Sequence, residues 1–397
     1  MKNSPFSWVI HNVQIVLEDQ IIAGSAVIKN GLIHRLLENA AVLSAEEQAL
    51  PAIDGAGGYL LPGFIDVHVH GGFGADFMDA SRSSYDKITR FHASQGTTGM
   101  LATTMTASKE AIESVLHAAA DYRSGDMPYA ALLGVHLEGP FLNEKWIGAQ
   151  NPAYLSPPRQ DWLEAWTAEF PDLIQILTLA PEREGSLPLI AWLAENNIVA
   201  ACGHTDASFA DIEAAADAGL SHAVHTYNAM RPLHHREPGT VGAVLSDPRI
   251  YAELIADGHH VHPGAIRLLA AAKPADKLIL ITDAMSAAGM PDGNYSLGGL
   301  AVEMKDQVAR LQGSGSLAGS SLTMLRAFRY MLANTALSIA EVSRCASGNA
   351  AKQLGIYEQT GSISSGKQAD VILTDTDFTA VSRTWVGGKL VFDASQN

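Results

Sequence analysis

Leu61-Pro62-Gly63-Phe64-Ile65-Asp66-Val67-His68-Val69-His70-Gly71-Gly72 reads as a short apolar strand that ends in His-x-His. Side chains alternate across a strand, so residues two apart share a face. His68 and His70 therefore point together, with Asp66 below them on that face. Two neutral imidazoles at this spacing can grip one cation, such as zinc, iron or nickel. Gly71 and Gly72 then let the chain turn sharply and keep the mouth of the site open. One His-x-His is often ordinary polar sequence. Its weight here comes from the same event recurring downstream.

Seven further apolar runs follow. They end near Thr103-Thr104-Met105, His136-Leu137-Glu138, Thr178-Leu179-Ala180, Cys202-Gly203-His204, His225-Thr226-Tyr227, Ile255-Ala256-Asp257 and Thr282-Asp283. Helical patterns lie between them at residues 83–95, 108–123, 187–196, 209–218 and 263–271. Eight β-then-α units in series predict an α/β fold, a (β/α)8 barrel of the TIM type. Continuous apolar strands suit a parallel sheet buried on both faces. On that barrel His68, His70, Glu138, His204, His225 and Asp283 all fall at C-terminal strand ends, the rim where barrel enzymes build their sites. His136 is expected on the same face as Glu138, one layer deeper.

The six form a coherent chemical set. Glu138, His204 and His225 supply one oxygen and two nitrogens, a three-ligand catalytic site with a position left open for water. His68 and His70 could hold a second ion, bridged by Glu138. Asp283 can touch metal or bound water and take its proton, because a bound divalent ion lowers the pKa of water toward about 7. Each residue also has an ordinary reading. Glu138 could serve a turn, His204 could cap the next helix, His225 could be a satisfied core histidine, and Asp283 could open a helix. The convergence of all six favours the metal. His11, His34, His92, His117, His222 and His234 are assigned to surface or core.

The two chain ends read differently. Residues 13–17, 21–28 and 32–37 are short β-like runs broken by Glu18-Asp19 and by Asn30-Gly31, a hairpin signal. Residues 369–374, 380–386 and 389–392 match them, with Gly387-Gly388 at a turn. Residues 1–60 and 356–397 are thus expected to form one small β-sandwich domain, with the catalytic barrel, residues 61–355, inserted between them. An extra hairpin is expected over 294–312, a glycine- and serine-rich loop over 313–321, and helices over 321–334 and 339–354.

Composition excludes several function classes. The chain has 397 residues, 47% of them hydrophobic, enough for a large core. A formal charge of −16 argues against a nucleic-acid partner. No apolar run approaches the roughly 18 residues of a membrane span. Cys202 and Cys345 show no pairing pattern, and no signal peptide is evident, so the expected compartment is the reducing cytoplasm.

Further local patterns narrow the reading. They are His136-Leu137-Glu138-Gly139-Pro140-Phe141, Gly203-His204-Thr205-Asp206-Ala207, His225-Thr226-Tyr227-Asn228-Ala229-Met230, Arg236-Glu237-Pro238-Gly239, Ala256-Asp257-Gly258-His259-His260-Val261, Thr282-Asp283-Ala284 and Leu317-Ala318-Gly319-Ser320. With these the chain resembles the amidohydrolase superfamily over nearly its whole length. The resemblance implies a metal-dependent hydrolase that releases acetate from N-acetyl-D-glucosamine 6-phosphate. It implies one or two divalent ions per subunit, zinc first and iron or another transition metal as alternatives, on Glu138, His204, His225, His68 and His70. It implies proton transfer by Asp283. It also implies sugar-phosphate contacts from Asn228, Ala229, Arg236 and His260, extended by Ala149, Asp257, Leu317, Ala318 and Gly319, in a homodimer. Arg236 suits the phosphate on physical grounds too, since its planar fork matches the oxygens. The chain departs from some members at Gln150, where they carry a substrate-contacting histidine; glutamine can donate a hydrogen bond but cannot titrate. Rival substrates are the galacto epimer, an N-acyl compound or a cyclic amide. A non-catalytic assembly protein is the rival from another class.

Overall fold

The apolar runs of the middle become strands because helices cover one face and barrel-filling side chains the other. In Phe64–Val69, Thr97–Thr104 and Leu278–Ile281 every residue is buried. A computed structural model describes residues 6–39 and 41–396. In it eight strands pair in parallel and in chain order: Phe64–Val69, Thr97–Thr104, Ala131–Glu138, Ile174–Leu179, Val199–Cys202, His222–Ala223, Tyr251–Ile255 and Leu278–Ile281. Intervening helices include Arg82–Ser94, Lys109–Ser124, Ser186–Glu195, Phe209–Asp217 and Pro263–Ala272. This is the expected (β/α)8 barrel. Its sixth strand, His222–Ala223, is only two residues long, and the chain turns at His225, where φ is positive.

The seam between the first and eighth strands depends on one side chain. Asp66 is fully buried; its carboxylate accepts from the Thr282 hydroxyl at 2.5 Å and from the backbone N–H groups of Thr282 and His68 at 3.3 Å each. Above it the backbone takes over: Asp283 N–H donates to His68 O and His70 N–H to Ala284 O, both at 2.9 Å. Burial pushes the Asp66 carboxyl up to about 7, against the pull of those donors.

The two ends of the chain form one continuous sheet of eight strands. Its order runs Lys389–Asp393, Val381–Val386, Val371–Thr374, Tyr59–Pro62, Trp8–Val16, Ile21–Lys29 and Leu32–Glu38, with Ala52–Asp54 also paired to Trp8–Val16. The sandwich expected from sequence is this sheet rolled over on itself. Trp8 stacks on Trp385 with ring centroids 4.8 Å apart, though their strands are not neighbours. Ile10, Ile28, Leu60 and Val371 fill the enclosed face.

Two expected elements differ in detail. The hairpin over 294–312 is a three-stranded sheet, Gly293–Leu297, Leu300–Lys305 and Val308–Leu311. The helix expected from 321 starts at Met324, because Thr323 takes the capping role and Ser321 instead donates to Gln307 O. The helix expected over 339–354 is interrupted by a wide turn at Arg344–Gly348. There Ser347 donates to Gly63 O, and Asn349 just beyond it to Ala275 O and Leu278 O, tying the turn to the floor of the barrel.

Replacing Asp66 with Ala strands a buried Thr282 N–H and hydroxyl, so a loss of roughly 2–5 kcal/mol is expected, read as a lower urea midpoint. An unchanged midpoint would show that the backbone bonds alone hold the seam.

Candidate active site

Each candidate ligand sits where a strand stops and the chain turns. His204, His225 and Asp283 all adopt positive φ, at 48°, 29° and 49°. Residues other than glycine rarely do so, and such strain clusters at functional sites. The bends carry three side chains from the strand ends in over the barrel axis.

The donor atoms converge on Glu138. Its Oε1 lies 3.0 Å from His225 Nε2, 3.2 Å from His204 Nε2 and 3.3 Å from His68 Nε2. Its Oε2 lies 3.4 Å from His70 Nε2. Asp283 Oδ1 stands 3.3 Å from His70 Nε2 and 3.9 Å from His68 Nε2. All six residues are buried.

The far side of each imidazole explains why the inner nitrogens are available. His70 Nδ1 donates to Thr103 O at 3.2 Å, His204 Nδ1 to Trp146 O at 2.9 Å, and His225 Nδ1 to Asn228 O at 3.2 Å. A carbonyl only accepts, so Nδ1 carries a proton, and in the neutral ring Nε2 is left with its lone pair. His68 Nδ1 instead meets the carboxylate of Glu253 at 2.9 Å. Four Nε2 lone pairs thus face two carboxylates. His204 and His225 bring theirs within 3.2 Å of each other. Among the described residues, His68 Nε2 is buried without a hydrogen-bond partner. Lone pairs so crowded repel unless a cation lies among them, and the donor set is the one a divalent ion takes. His68, Glu138 and His225 form one group whose donor atoms lie within 4.8 Å of one another; His68, His70 and Asp283 form a second.

Electrostatics show the same demand for positive charge. Burial works against charge on His70, yet hydrogen bonds with Asp283 and Glu138 outweigh it and raise its pKa to about 9. Burial likewise opposes charge on Glu138 and Asp283. The histidines around them reverse this and hold both carboxyls below their ordinary range.

The pocket above this floor is lined by Met105, Ala149, Gln150, Asn228, Ala229, His260, Leu297, Leu317 and Gly319, among others. Of the expected contacts, Ala149, Gln150, Asn228, Ala229, His260, Leu317 and Gly319 are brought together. Gln150 has both ends engaged: its amide N–H donates to Glu138 Oε2 at 2.5 Å and its oxygen accepts from Thr106 N–H at 2.7 Å. Asp257 stands behind the wall and holds His260 Nδ1 at 2.7 Å. Ala318 is fully buried beside the pocket. Arg236 lies outside it, exposed, with Nη1 against His235 Nε2. The expected deeper layer exists: His136 packs 4.7 Å from His68, ring to ring. Sequence reading missed Glu253, Met105 and Leu297, and left His222 as mere surface or core. The one available signal was Glu253, a carboxylate inside the apolar run Tyr251-Ala252-Glu253-Leu254-Ile255.

The sequence pattern of the Amidohydrolase family matches residues 59–391. The chain is 42% identical to the N-acetylglucosamine-6-phosphate deacetylase of Bacillus subtilis over 376 residues, 94% of each protein. It is 41% identical to the N-acetylgalactosamine-6-phosphate deacetylase of Escherichia coli, covering 83% of this chain and 87% of that one. Among solved structures it resembles a mutant N-acetyl-D-glucosamine-6-phosphate deacetylase of Mycobacterium smegmatis in complex with N-acetyl-D-glucosamine-6-phosphate. The TM-score is 0.90 at 31% identity, over 97% of this chain and 99% of that one. The N-acetylglucosamine-6-phosphate deacetylase of Thermotoga maritima gives 0.86 at 34% identity, over 97% and 100%.

Protons and metal compete for this cluster, which fixes a pH dependence. A pKa raised from 6.5 to about 9 at His70 gives stability that is present below pH 6.5 and lost as pH rises through 9. Chelator-stripped protein is therefore expected to melt lower at pH 9 than at pH 6.5. Zinc needs neutral imidazoles, so its affinity is expected to rise over the same interval. Parallel melting curves at the two pH values, with and without zinc, check both signs.

Proposed function

This chain belongs to the amidohydrolase family, and we infer from that membership and from the pocket that it hydrolyses N-acetyl-D-glucosamine 6-phosphate to D-glucosamine 6-phosphate and acetate. The observation that carries the chemistry is the meeting of Glu138, His204 and His225 at one point, with His68, His70 and Asp283 beside it. The relatives carry the substrate.

The proposed ligands are Glu138, His204 and His225 for one ion, and His68 and His70 for a second, with Glu138 shared. A divalent ion bound there supplies Lewis acidity and an ionised water at neutral pH. Zinc suits a set of imidazole and carboxylate donors with an open position. Asp283 is the proposed proton carrier. Its carboxyl is held below its ordinary range, so it is ionised at neutral pH and ready to accept a proton from the attacking water. The same proton then goes to the nitrogen of the departing amine, which leaves as glucosamine 6-phosphate. His260, fixed by Asp257, is the better candidate to steady the developing oxyanion. Gln150 has its amide turned to Glu138, and its proposed part is to hold that carboxylate. Asn228, Ala229, Leu317 and Gly319 line the space proposed for the sugar, with Arg236 as the proposed phosphate contact.

The Escherichia coli relative makes the galacto epimer a second reading that a specific observation favours. The two sugars differ only at the 4-hydroxyl. A cytoplasmic homodimer completes the proposal. Buried, unpaired Cys202 and Cys345 agree with a reducing compartment, and among the described residues no helix is long and apolar enough to cross a membrane.

Asp283→Asn is expected to lower turnover at least about 1,000-fold with metal content near normal, by acetate release and elemental analysis. Full turnover in that variant would remove the proton carrier. With N-acetylglucosamine 6-phosphate, its galacto epimer and the unphosphorylated sugar in one assay, the gluco phosphate is expected to give the highest kcat/KM. Arg236→Met is expected to cost the phosphorylated sugar about 10–100-fold, the worth of one charge-assisted contact. An equal loss on the unphosphorylated sugar would take the phosphate contact away from Arg236.

A further inference from the structure

Glu253 lies in the middle of the seventh barrel strand, Tyr251–Ile255, and is fully buried. A carboxylate there is tolerated only with strong partners. It has three. Oε2 accepts from His68 Nδ1 at 2.9 Å and from the His225 backbone N–H at 3.1 Å. Oε1 accepts from His222 Nε2 at 2.8 Å. One side chain thus grips the ring of a first-strand ligand and the backbone of a sixth-strand ligand.

Two plainer accounts fail. His68, His136 and Glu253 bring donor atoms within 4.8 Å of one another, as a deeper ion site would. His136 has no nitrogen to offer it, because Nδ1 is engaged with Val67 O at 3.0 Å and Nε2 with the Thr178 hydroxyl at 2.7 Å. A simple buried pair of Glu253 with His222 would use Oε1 alone and leaves both Oε2 contacts unexplained. The three other ligand histidines donate Nδ1–H to carbonyls; only His68 donates to a carboxylate. A carboxylate in that place fixes the tautomer and orientation of a ligand imidazole and makes it a stronger donor to metal.

We infer that Glu253 is a positioning residue of the metal centre. It holds His68 with its proton on Nδ1 and pins the backbone of His225, so that both Nε2 atoms meet at Glu138. The inference rests on the metal reading proposed above and adds a residue to it.

Glu253→Gln keeps the volume and one acceptor while removing the charge. Three measurements are made on it and on the wild type: melting of the metal-free protein, zinc content, and zinc affinity by chelator competition. The variant is expected to melt close to wild type when metal-free, yet to hold zinc about 10–100-fold more weakly. A folded Glu253→Gln variant with unchanged zinc affinity and content overturns the inference. A wild type that takes up no zinc or other divalent ion overturns the metal reading instead. If the variant does not fold, nitrogen NMR of labelled histidines in zinc-loaded wild type decides. A proton on His68 Nδ1 supports the inference, and a proton on His68 Nε2 overturns it.

Discussion

The crowding of lone pairs around Glu138 is the interaction on which the rest of the molecule depends. Four imidazole nitrogens and two carboxylates are held, buried, within a few ångströms of one point. Water cannot screen them there, and their mutual repulsion is relieved only by positive charge. The barrel exists in part to withstand that repulsion. Five of its eight strands deliver these six side chains to the same rim, two of them from the first strand, and each ligand histidine is anchored from behind. The formal charge of −16 does not by itself set the field at the rim, which is governed by the groups gathered there.

Much of this was legible in the sequence, for physical reasons. Parallel strands buried on both faces must be continuously apolar, so polar residues at their ends stand out. His68, His70, Glu138, His204 and Asp283 were readable because they follow apolar runs directly. The terminal strands were readable from their breaks at Asn30-Gly31 and Gly387-Gly388, and the sequence pattern at the two ends placed them together.

Other parts were not legible. The sixth strand has only two residues, and its brevity follows from the bend that carries His225 inward, which periodicity does not record. Glu253 is a carboxylate within an apolar run, and its meaning lies in partners far along the chain, His68 above all. The engagement of Gln150 with Glu138 is likewise tertiary. For Arg236 the pattern names the residue, whereas its place outside the pocket wall comes from the path of the loop. The interruption at Arg344–Gly348 came from tertiary anchoring to Gly63, Ala275 and Leu278, which overrode a local helical preference.

The left-handed backbone at His204, His225 and Asp283 carries a consequence for how this protein can change. Glycine would relieve each bend at no steric cost, so the scaffold gains ease from losing the very side chains that define the site. Selection for robustness alone would therefore erode these positions, and only continued use of the site opposes that drift. Descendants released from that use would keep the barrel while their rims turned to glycine.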